Sequence, residues 1–219
     1  MFPISDSHPT KKFPFVNISI IILTVYVFYL QLTSVNFENF IQQYSLIPSA
    51  VNLFNLQSLA NFVTAIFLHG GFLHIISNMW FLWIFGDNVE EHLGWPTYIL
   101  LYLFSGILGN VFQYLLMPNS PVPMIGASGA VAGVLGAYFA LFPHSNVKTI
   151  FPIFIFLTII NVPAYIMLGY WFLLQIFSGV TSLPFTVGQG GIAFFAHVGG
   201  FVVGLLFAKL WGRKREIYA

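Results

Sequence analysis

The stretch MIGASGAVAGVLGAY, residues 124–138, sets one serine, Ser128, among glycines and alanines inside an apolar segment. A helix over residues 126–142 is shorter than the about 20 residues that cross a hydrocarbon core of ~30 Å. It would therefore begin below the membrane surface, with Ser128 near its N-terminus. Free backbone N–H groups and the positive end of the helix dipole lie there. Taken alone, the stretch leaves two functions open for Ser128, helix packing or nucleophilic catalysis.

The composition of the whole chain indicates that this segment lies in a membrane. Of the 219 residues, 58% are hydrophobic and only 6% are charged, whereas a soluble domain has about 25% charged residues. We therefore predict an integral membrane protein in contact with the lipid bilayer. The chain has no cysteine, which excludes disulfides and thiol nucleophiles. The net charge of +1 gives no indication of nucleic-acid binding.

Six apolar segments have about the length of a membrane span. They are residues 15–32, 64–86, 97–116, 126–142, 150–177 and 191–211. We predict an all-α integral membrane protein, a single domain over residues 1–219, in which six transmembrane helices form a bundle with a short, recessed, central fourth helix. Residues 178–190 would form a lid over the outer side of this bundle.

The basic residues predict the orientation of the bundle. With six spans, all seven of them fall on one side of the membrane, and the three opposite loops contain none. They are Lys11, Lys12, Lys148, Lys209, Arg213, Lys214 and Arg215. Because loops rich in lysine and arginine stay inside, we expect a multi-pass protein of the cell membrane with both termini in the cytoplasm.

Polar side chains inside the predicted spans are the candidates for function, because burying them in a bilayer is costly. His69, His74 and Asn78 belong to the second span, Ser128 to the fourth and His197 to the sixth. Counting residues from the cytoplasmic ends puts His74, Ser128 and His197 about 8–12 Å below the outer surface. Three separate helices thus bring polar groups to a common depth.

Small residues recur at four-residue spacing on two of these spans. Gly129 and Gly133 line the fourth span, and Gly200 and Gly204 line the sixth. Such faces allow two helix backbones to approach closely. This approach would let a short serine on one helix reach a histidine on the other.

A metal or carboxylate site is not favoured by the sequence. No acidic residue lies inside any predicted span and there is no H-E-x-x-H motif, so neither a metalloprotease nor an aspartyl site is expected. A small transporter or channel would need paired charges along a path through the membrane, and these are missing. Serine with histidine, without metal or cofactor, is the remaining chemistry.

At this point the residues resemble the rhomboid family of intramembrane serine proteases. Four segments in the same order carry the resemblance, which covers most of residues 60–208. They are FLHGGFLHIISNMWFLWIFGDNVEEHLG (67–94), GASGAVAGVLGAY (126–138), PAYIMLGYWFLLQIFSG (163–179) and AHVGGFVVG (196–204). The resemblance implies a compact six-span protease whose substrates are transmembrane segments of other proteins, cut near the outer membrane face.

The resemblance also implies residue roles. Ser128, in the G-x-S-G pattern, would be the nucleophile, and His197, in the A-H-x-G-G pattern, its general base. His74 and Asn78, in the H-x-x-x-N pattern, would stabilise the oxyanion together with the Ser128 backbone N–H. Gly126 would permit the tight backbone at the oxyanion loop.

Three further positions are expected to have structural roles in this family. Gly129 and Gly200 would support close helix packing, and His69 would make a structural hydrogen bond. The sequence departs from some members at Ala132, where they place an aromatic ring against the histidine. Another contact must therefore hold His197. The alternative function is a catalytically inactive rhomboid-like protein that binds or escorts membrane clients, although such members lack the serine or the histidine.

Overall fold

Eight α-helices and three β-strands occur in residues 2–153, 156–182 and 193–212, which are the residues that the computed structural model describes. In chain order they are β1 (Phe2–Asp6), α1 (Phe15–Thr33), α2 (Phe37–Tyr44), α3 (Leu56–Thr64), α4 (Phe72–Leu93), α5 (Trp95–Leu116), α6 (Ser128–Leu141), β2 (Asn146–Ile153), β3 (Phe156–Pro163), α7 (Ala164–Ser182) and α8 (Phe194–Trp211). The chain is mostly helical, as predicted.

Within the described part of the chain, four helices are long and apolar enough to cross a membrane, namely α1, α5, α7 and α8. The bent pair Leu56–Phe67 and Phe72–Leu93 would make a fifth span if it is counted as one. Helix α6 is apolar but shorter. Large apolar side chains on these helices point outwards, for example Phe15, Leu115 and Leu173. These features confirm a multi-pass membrane protein.

The second predicted span, 64–86, differs from the helices found. The chain bends by 78° between Phe67 and Phe72, and α4 then continues to Leu93, through residues 87–93 that the sequence suggested as a loop. The bend falls at two consecutive glycines, residues 70 and 71, which weaken a helix. The helix ends at Gly94, whose φ of +82° favours glycine.

The acidic residues of segment 87–91 belong to helix α4, and the carboxylate of Glu90 among them is buried. Glu90 of α4 accepts hydrogen bonds from the backbone N–H groups of Val16 (3.0 Å) and Asn17 (2.7 Å). These groups lie at the N-terminus of α1, where the first N–H groups have no partner within the helix and the dipole attracts negative charge. The segment is therefore a contact between α1 and α4.

The fifth predicted span, 150–177, is helical only from Ala164 onwards. Asn146–Ile153 and Phe156–Pro163 instead form the antiparallel hairpin strands β2 and β3. Isoleucine, valine, threonine and phenylalanine dominate this segment and favour strands, while Pro152 and Pro163 disfavour a continuous helix. A hydropathy count cannot separate such a strand from a buried helix, which accounts for the error.

Strand β1 completes a three-stranded sheet in the order β1-β2-β3. It pairs antiparallel with β2, so that Phe2 lies opposite Ile150. Side chains of the helices hold it from the other side, because Trp80 Nε1 donates to the Pro3 carbonyl (2.8 Å) and Tyr138 OH donates to Asp6 (2.6 Å). The sheet therefore joins the N-terminus to the hairpin that leads into α7.

The remaining spans match the predictions closely. Segments 15–32, 97–116 and 126–142 correspond to α1, α5 and α6 within two residues at each end, and 191–211 corresponds to α8 from Phe194. Residues 191–192, the lid segment 183–190 and the basic residues 213–215 lie outside the described residues. Residues 178–182, also assigned to the lid, belong to α7.

Helix α6 lies in the interior, with every residue from Gly129 to Tyr138 buried. Its small residues bring α8 into direct backbone contact. A Cβ atom added at Gly200 would overlap the carbonyl oxygen of Gly129, and one at Gly204 would overlap that of Gly133. The predicted close approach of the fourth and sixth spans is therefore present, and it fixes the separation of α6 and α8.

Candidate active site

Ser128 is the first residue of α6. The segment before it is held by backbone hydrogen bonds. Met124 exchanges two of them with Leu46 (3.2 and 2.8 Å), and the Gly126 N–H donates to the Ala65 carbonyl (2.9 Å). As the first residue of a helix, Ser128 keeps a backbone N–H without a partner inside that helix. The hydroxyl and this N–H are thus presented on a fixed backbone.

His197 of α8 lies against Ser128. Its Nε2 is 2.7 Å from Ser128 Oγ, and its residue surface is only 8% exposed. The first turn of α8 is held by Gln113 of α5, whose Oε1 accepts from the backbone N–H groups of Phe195 (3.0 Å) and Ala196 (3.2 Å). The two residues predicted as nucleophile and base are therefore within hydrogen-bond distance of each other.

A second hydrogen bond fixes the other nitrogen of His197. Nδ1 lies 2.8 Å from Oε1 of Gln175 on α7. One turn earlier on the same helix, the Trp171 ring stacks on the imidazole with centroids 6.1 Å apart and planes 25° apart. These contacts take the place of the ring absent at Ala132. Neither Trp171 nor Gln175 is among the site residues predicted from the sequence. Their four-residue spacing places them on one helix face, but it does not indicate which residue that face contacts.

His74 borders the segment that precedes Ser128. The Gly70 N–H points to its Nδ1 at 3.4 Å, which leaves Nε2 to carry the proton of the neutral ring. A Cβ atom at Gly126 would lie 2.7 Å from His74 Nε2 and 3.6 Å from Ser128 Oγ. Gly126 has a φ of +129°, so it both adopts a glycine conformation and leaves this space open.

Asn78 is buried on α4, one turn after His74, and it forms a hydrogen bond with His69. The Asn78 amide nitrogen donates to Nε2 of His69 (3.1 Å), which leaves one amide hydrogen for another acceptor. The His69 ring is held at Phe67 O (3.3 Å), and its backbone exchanges hydrogen bonds with the Gln31 amide of α1. His69 therefore orients Asn78 within a buried network that includes α1.

The predicted structural glycines act through the backbone contact of α6 and α8. Since a Cβ atom at Gly200 would overlap Gly129 O, α8 could not carry a side chain at position 200 without moving away from α6 and separating Ser128 from His197. Among the described residues, no group of three or more His, Asp or Glu side chains could hold a metal ion. The arrangement offers a hydroxyl, a basic imidazole and nearby N–H donors, a set suited to acyl transfer.

The chain matches the family model described as the rhomboid domain over residues 56–214. It is 30% identical over 172 residues to Rhomboid protein 1, mitochondrial, of Saccharomyces cerevisiae, covering 77% of this chain and 45% of the relative. Rhomboid protease GluP of Bacillus subtilis is 32% identical over 152 residues, covering 68% and 25%. Putative rhomboid protease YdcA of the same organism is 40% identical over 76 residues, covering 35% and 38%.

The region matched by the family model contains the residues of the site, from His69 to His197. The chain spans less than half the length of each of these three relatives. The similarity therefore concerns the membrane domain, and it does not extend to the remainder of the longer relatives.

Proposed function

The chain belongs to the rhomboid family, and we propose that it is an intramembrane serine endopeptidase that cleaves transmembrane segments of other membrane proteins near the outer membrane face. The observation that carries this proposal is the hydrogen-bond distance of 2.7 Å between Ser128 Oγ and His197 Nε2. Catalytically inactive rhomboid-like proteins lack the serine or the histidine, whereas this chain has both.

In the proposed reaction, Ser128 and His197 act as a dyad. A serine hydroxyl is a weak nucleophile until a base accepts its proton, and Nε2 of His197 is positioned to do so. Ser128 Oγ attacks the scissile carbonyl, and the imidazolium returns the proton to the leaving amine. Water then hydrolyses the acyl-enzyme, with His197 again acting as base. No metal or cofactor enters these steps.

Three donors surround the position where negative charge develops. The Ser128 backbone N–H, the Nε2–H of His74 and the second amide hydrogen of Asn78 would stabilise the tetrahedral oxyanion. The space left by the missing side chain of Gly126 lies between His74 and Ser128, which supports its use by the substrate carbonyl oxygen. Such donors are each worth about 10²- to 10³-fold in turnover.

The proposed topology has six spans, with α6 as the short fourth span and its N-terminus recessed from the outer surface. Helix α6 has 14 residues, which corresponds to about 21 Å and is less than the ~30 Å core. Both termini would lie in the cytoplasm of a cell-membrane protein, on the side of the sheet and Lys148. Residues 1–219 would form one domain.

Cleavage of a purified transmembrane substrate by the chain in liposomes tests this function. We expect Ser128→Ala and His197→Ala to abolish cleavage, and His74→Ala and Asn78→Ala to lower turnover by about 10²- to 10³-fold. A fluorophosphonate should label the wild type but not Ser128→Ala. Matched controls are Ser19→Ala on the exposed side of α1 and His144→Ala after α6, which should retain activity.

Two results would contradict the proposal. Cleavage retained by Ser128→Ala or His197→Ala would exclude the dyad. A wild-type chain that binds transmembrane segments, but neither cleaves them nor reacts with the fluorophosphonate, would favour the client-binding alternative.

A further inference from the structure

The His197 imidazole has hydrogen-bond partners at both of its nitrogens. Nε2 faces Ser128, and Nδ1 faces the side-chain carbonyl oxygen of Gln175 at 2.8 Å. We propose that Gln175 is a positioning residue for catalysis, which holds His197 in the tautomer and orientation needed to accept the proton of Ser128. This inference rests on the proposed protease function.

The contact with Gln175 determines the tautomer of His197. A neutral imidazole carries one proton, and the nitrogen without it is the acceptor. Gln175 Oε1 can only accept a hydrogen bond, so its contact requires the proton at Nδ1. Nε2 is then unprotonated and can accept the Ser128 hydroxyl proton. With the other tautomer, Nε2 would donate to Ser128 and could not act as the base.

A carboxylate is not available for this task. The chain has six acidic residues, at positions 6, 38, 87, 90, 91 and 216, and none belongs to α5, α6, α7 or α8. A neutral carboxamide provides an acceptor for Nδ1–H without the desolvation cost of a second buried charge. When the imidazolium forms, the same oxygen accepts from a charged donor, and such a hydrogen bond is stronger.

Aromatic contacts from α7 and α8 fix the plane of the ring. Trp171 stacks on one face of the imidazole, and Phe194 approaches it edge-on with centroids 6.3 Å apart and planes 80° apart. Trp171 and Gln175 are four residues apart and therefore lie on one face of α7. That single helix face supplies both a stacking surface and a hydrogen-bond acceptor.

The placement of Gln175 on α7 links catalysis to the packing of this helix. Hydrogen bonds weaken steeply beyond about 3.2 Å, so a small displacement of α7 from α8 would release Nδ1 of His197. The Ser128–His197 contact does not involve α7 and would persist. The orientation of the base therefore depends on α7, whereas its distance from the nucleophile does not.

The test uses three variants of the full chain. Gln175→Met keeps the length of the side chain but removes the acceptor, and Gln175→Glu restores an acceptor that carries a charge. Gln113→Met is the matched control, since Gln113 is a buried glutamine that caps α8 through backbone N–H groups and does not contact the imidazole in the structure. The readouts are kcat across pH, the rate of fluorophosphonate labelling, and the 15N chemical shifts of the His197 imidazole.

Among the residues that the structure describes, few other charged or titratable groups lie near His197. His74 of α4 interacts electrostatically with it, and Lys209 of α8 lies 12 positions away, about 18 Å along the helix. Both are retained in every variant, so a change in the pH profile reports the substitution at position 175. The 15N signals of His197 are identified by their absence from His197→Gln.

We expect Gln175→Met to lower kcat and the labelling rate by roughly 10- to 100-fold and to introduce the Nε2–H tautomer. Gln175→Glu should restore labelling and move the acid limb of the kcat profile to higher pH, because a carboxylate stabilises the imidazolium. Gln113→Met should lower the melting temperature without altering the tautomer.

Two outcomes would overturn the inference. One is a Gln175→Met protein whose kcat profile matches the wild type. The other is a loss of kcat with unchanged 15N shifts and an unchanged pH profile, because this would indicate a structural role. If the wild type neither cleaves nor labels, the proposed function fails, and the 15N shifts of wild type and Gln175→Met still decide whether Gln175 sets the tautomer.

Discussion

Helix α8 packs against α6 and against α7 in very different ways. Against α6 it packs backbone on backbone, through glycines at which a Cβ atom would overlap a carbonyl oxygen, as at Gly200 and Gly204. Against α7 it packs through large side chains, with Phe172 stacked on Phe201 at 4.5 Å and Trp171 stacked on His197. Backbone contacts cannot adjust, whereas side chains have alternative rotamers.

The two interfaces divide the requirements of the proposed dyad between them. The distance between Ser128 and His197 follows from the α6–α8 backbone contact, while the orientation of the imidazole follows from Trp171 and Gln175 on α7. A rigid interface suits the distance, because a misplacement of 1 Å can cost about 10²-fold in rate. An adjustable interface suits a helix that faces the bilayer with exposed side chains such as Leu173 and Phe177.

The largest expected effect comes from breaking the rigid interface with Gly204→Val. Its Cβ atom would overlap the Gly133 carbonyl oxygen, and the backbone must shift to relieve the overlap. We expect a loss of stability of about 1–3 kcal/mol or more and a loss of cleavage of about 10²-fold or more. Thermal unfolding in detergent and cleavage in liposomes measure the two effects.

The matched control for this variant is Gly169→Ala on α7. A Cβ atom there would meet only Phe139 Cε2 at an ordinary distance of 3.7 Å, so the protein should not lose stability, and alanine inside the helix should raise it by about 0.5–1 kcal/mol. If Gly204→Val were as stable and as active as Gly169→Ala, the distinction between the two interfaces would be wrong.

The second effect comes from the adjustable interface. Trp171→Leu removes the ring that stacks on His197 but leaves the hydrogen bond to Gln175. Aromatic stacking is worth about 0.5–1.5 kcal/mol, so kcat should fall by about 2- to 10-fold, with little change in the melting temperature. Tyr170→Leu is the control, because Tyr170 is the neighbouring aromatic residue and is 49% exposed. Equal kcat values for the two variants would mean that stacking does not orient His197.

The sequence predicted the rigid α6–α8 interface better than the adjustable α7–α8 interface. Small residues at four-residue spacing restrict which faces of α6 and α8 can meet, so the Ser128–His197 contact followed from the pattern and from the common depth of the polar groups. Gln175 is not among the site residues that the sequence predicts. Its partner depends on the rotation of α7 about its own axis, and an apolar helix with large residues on all sides does not specify this rotation.

A single sequence also does not reveal two other features, the strands β2 and β3 and the continuation of α4 to Leu93. Residues 146–163 are mostly apolar, and hydropathy does not distinguish a hairpin from the start of a long helix. The sequence predicts a loop at Glu90 because its partners, the N–H groups of Val16 and Asn17, are 74 and 73 residues away in sequence. A single sequence does not show which distant residues form hydrogen bonds with a given side chain, so it does not show that an acidic residue such as Glu90 can be stabilised inside a helix contact.

The smallest expected effect concerns the start of the α7 side of the molecule, where β1 pairs with the hairpin that leads into α7. Asp6 of β1 accepts hydrogen bonds from Tyr138 OH (2.6 Å) and Asn88 Nδ2 (2.7 Å). Burial nevertheless raises the pKa of Asp6 above its usual value. The charged form is therefore disfavoured in the folded protein, and the stability associated with Asp6 is largest at acidic pH and is lost as the pH rises through the folded-state pKa.

Asp6→Asn removes this titration while keeping an acceptor for Tyr138 and Asn88. Its melting temperature should be close to that of the wild type near pH 4 and should exceed it increasingly towards neutral pH, by about 2–4 °C for each kcal/mol of stability. His8 and Asp87, which also interact with Asp6, are present in both proteins. Ser5→Ala in the same strand is the control and should differ from the wild type equally at every pH. A constant difference for Asp6→Asn would mean that the charge of Asp6 carries no cost, and that β1 is held by its strand pairing with β2 and by Trp80 alone.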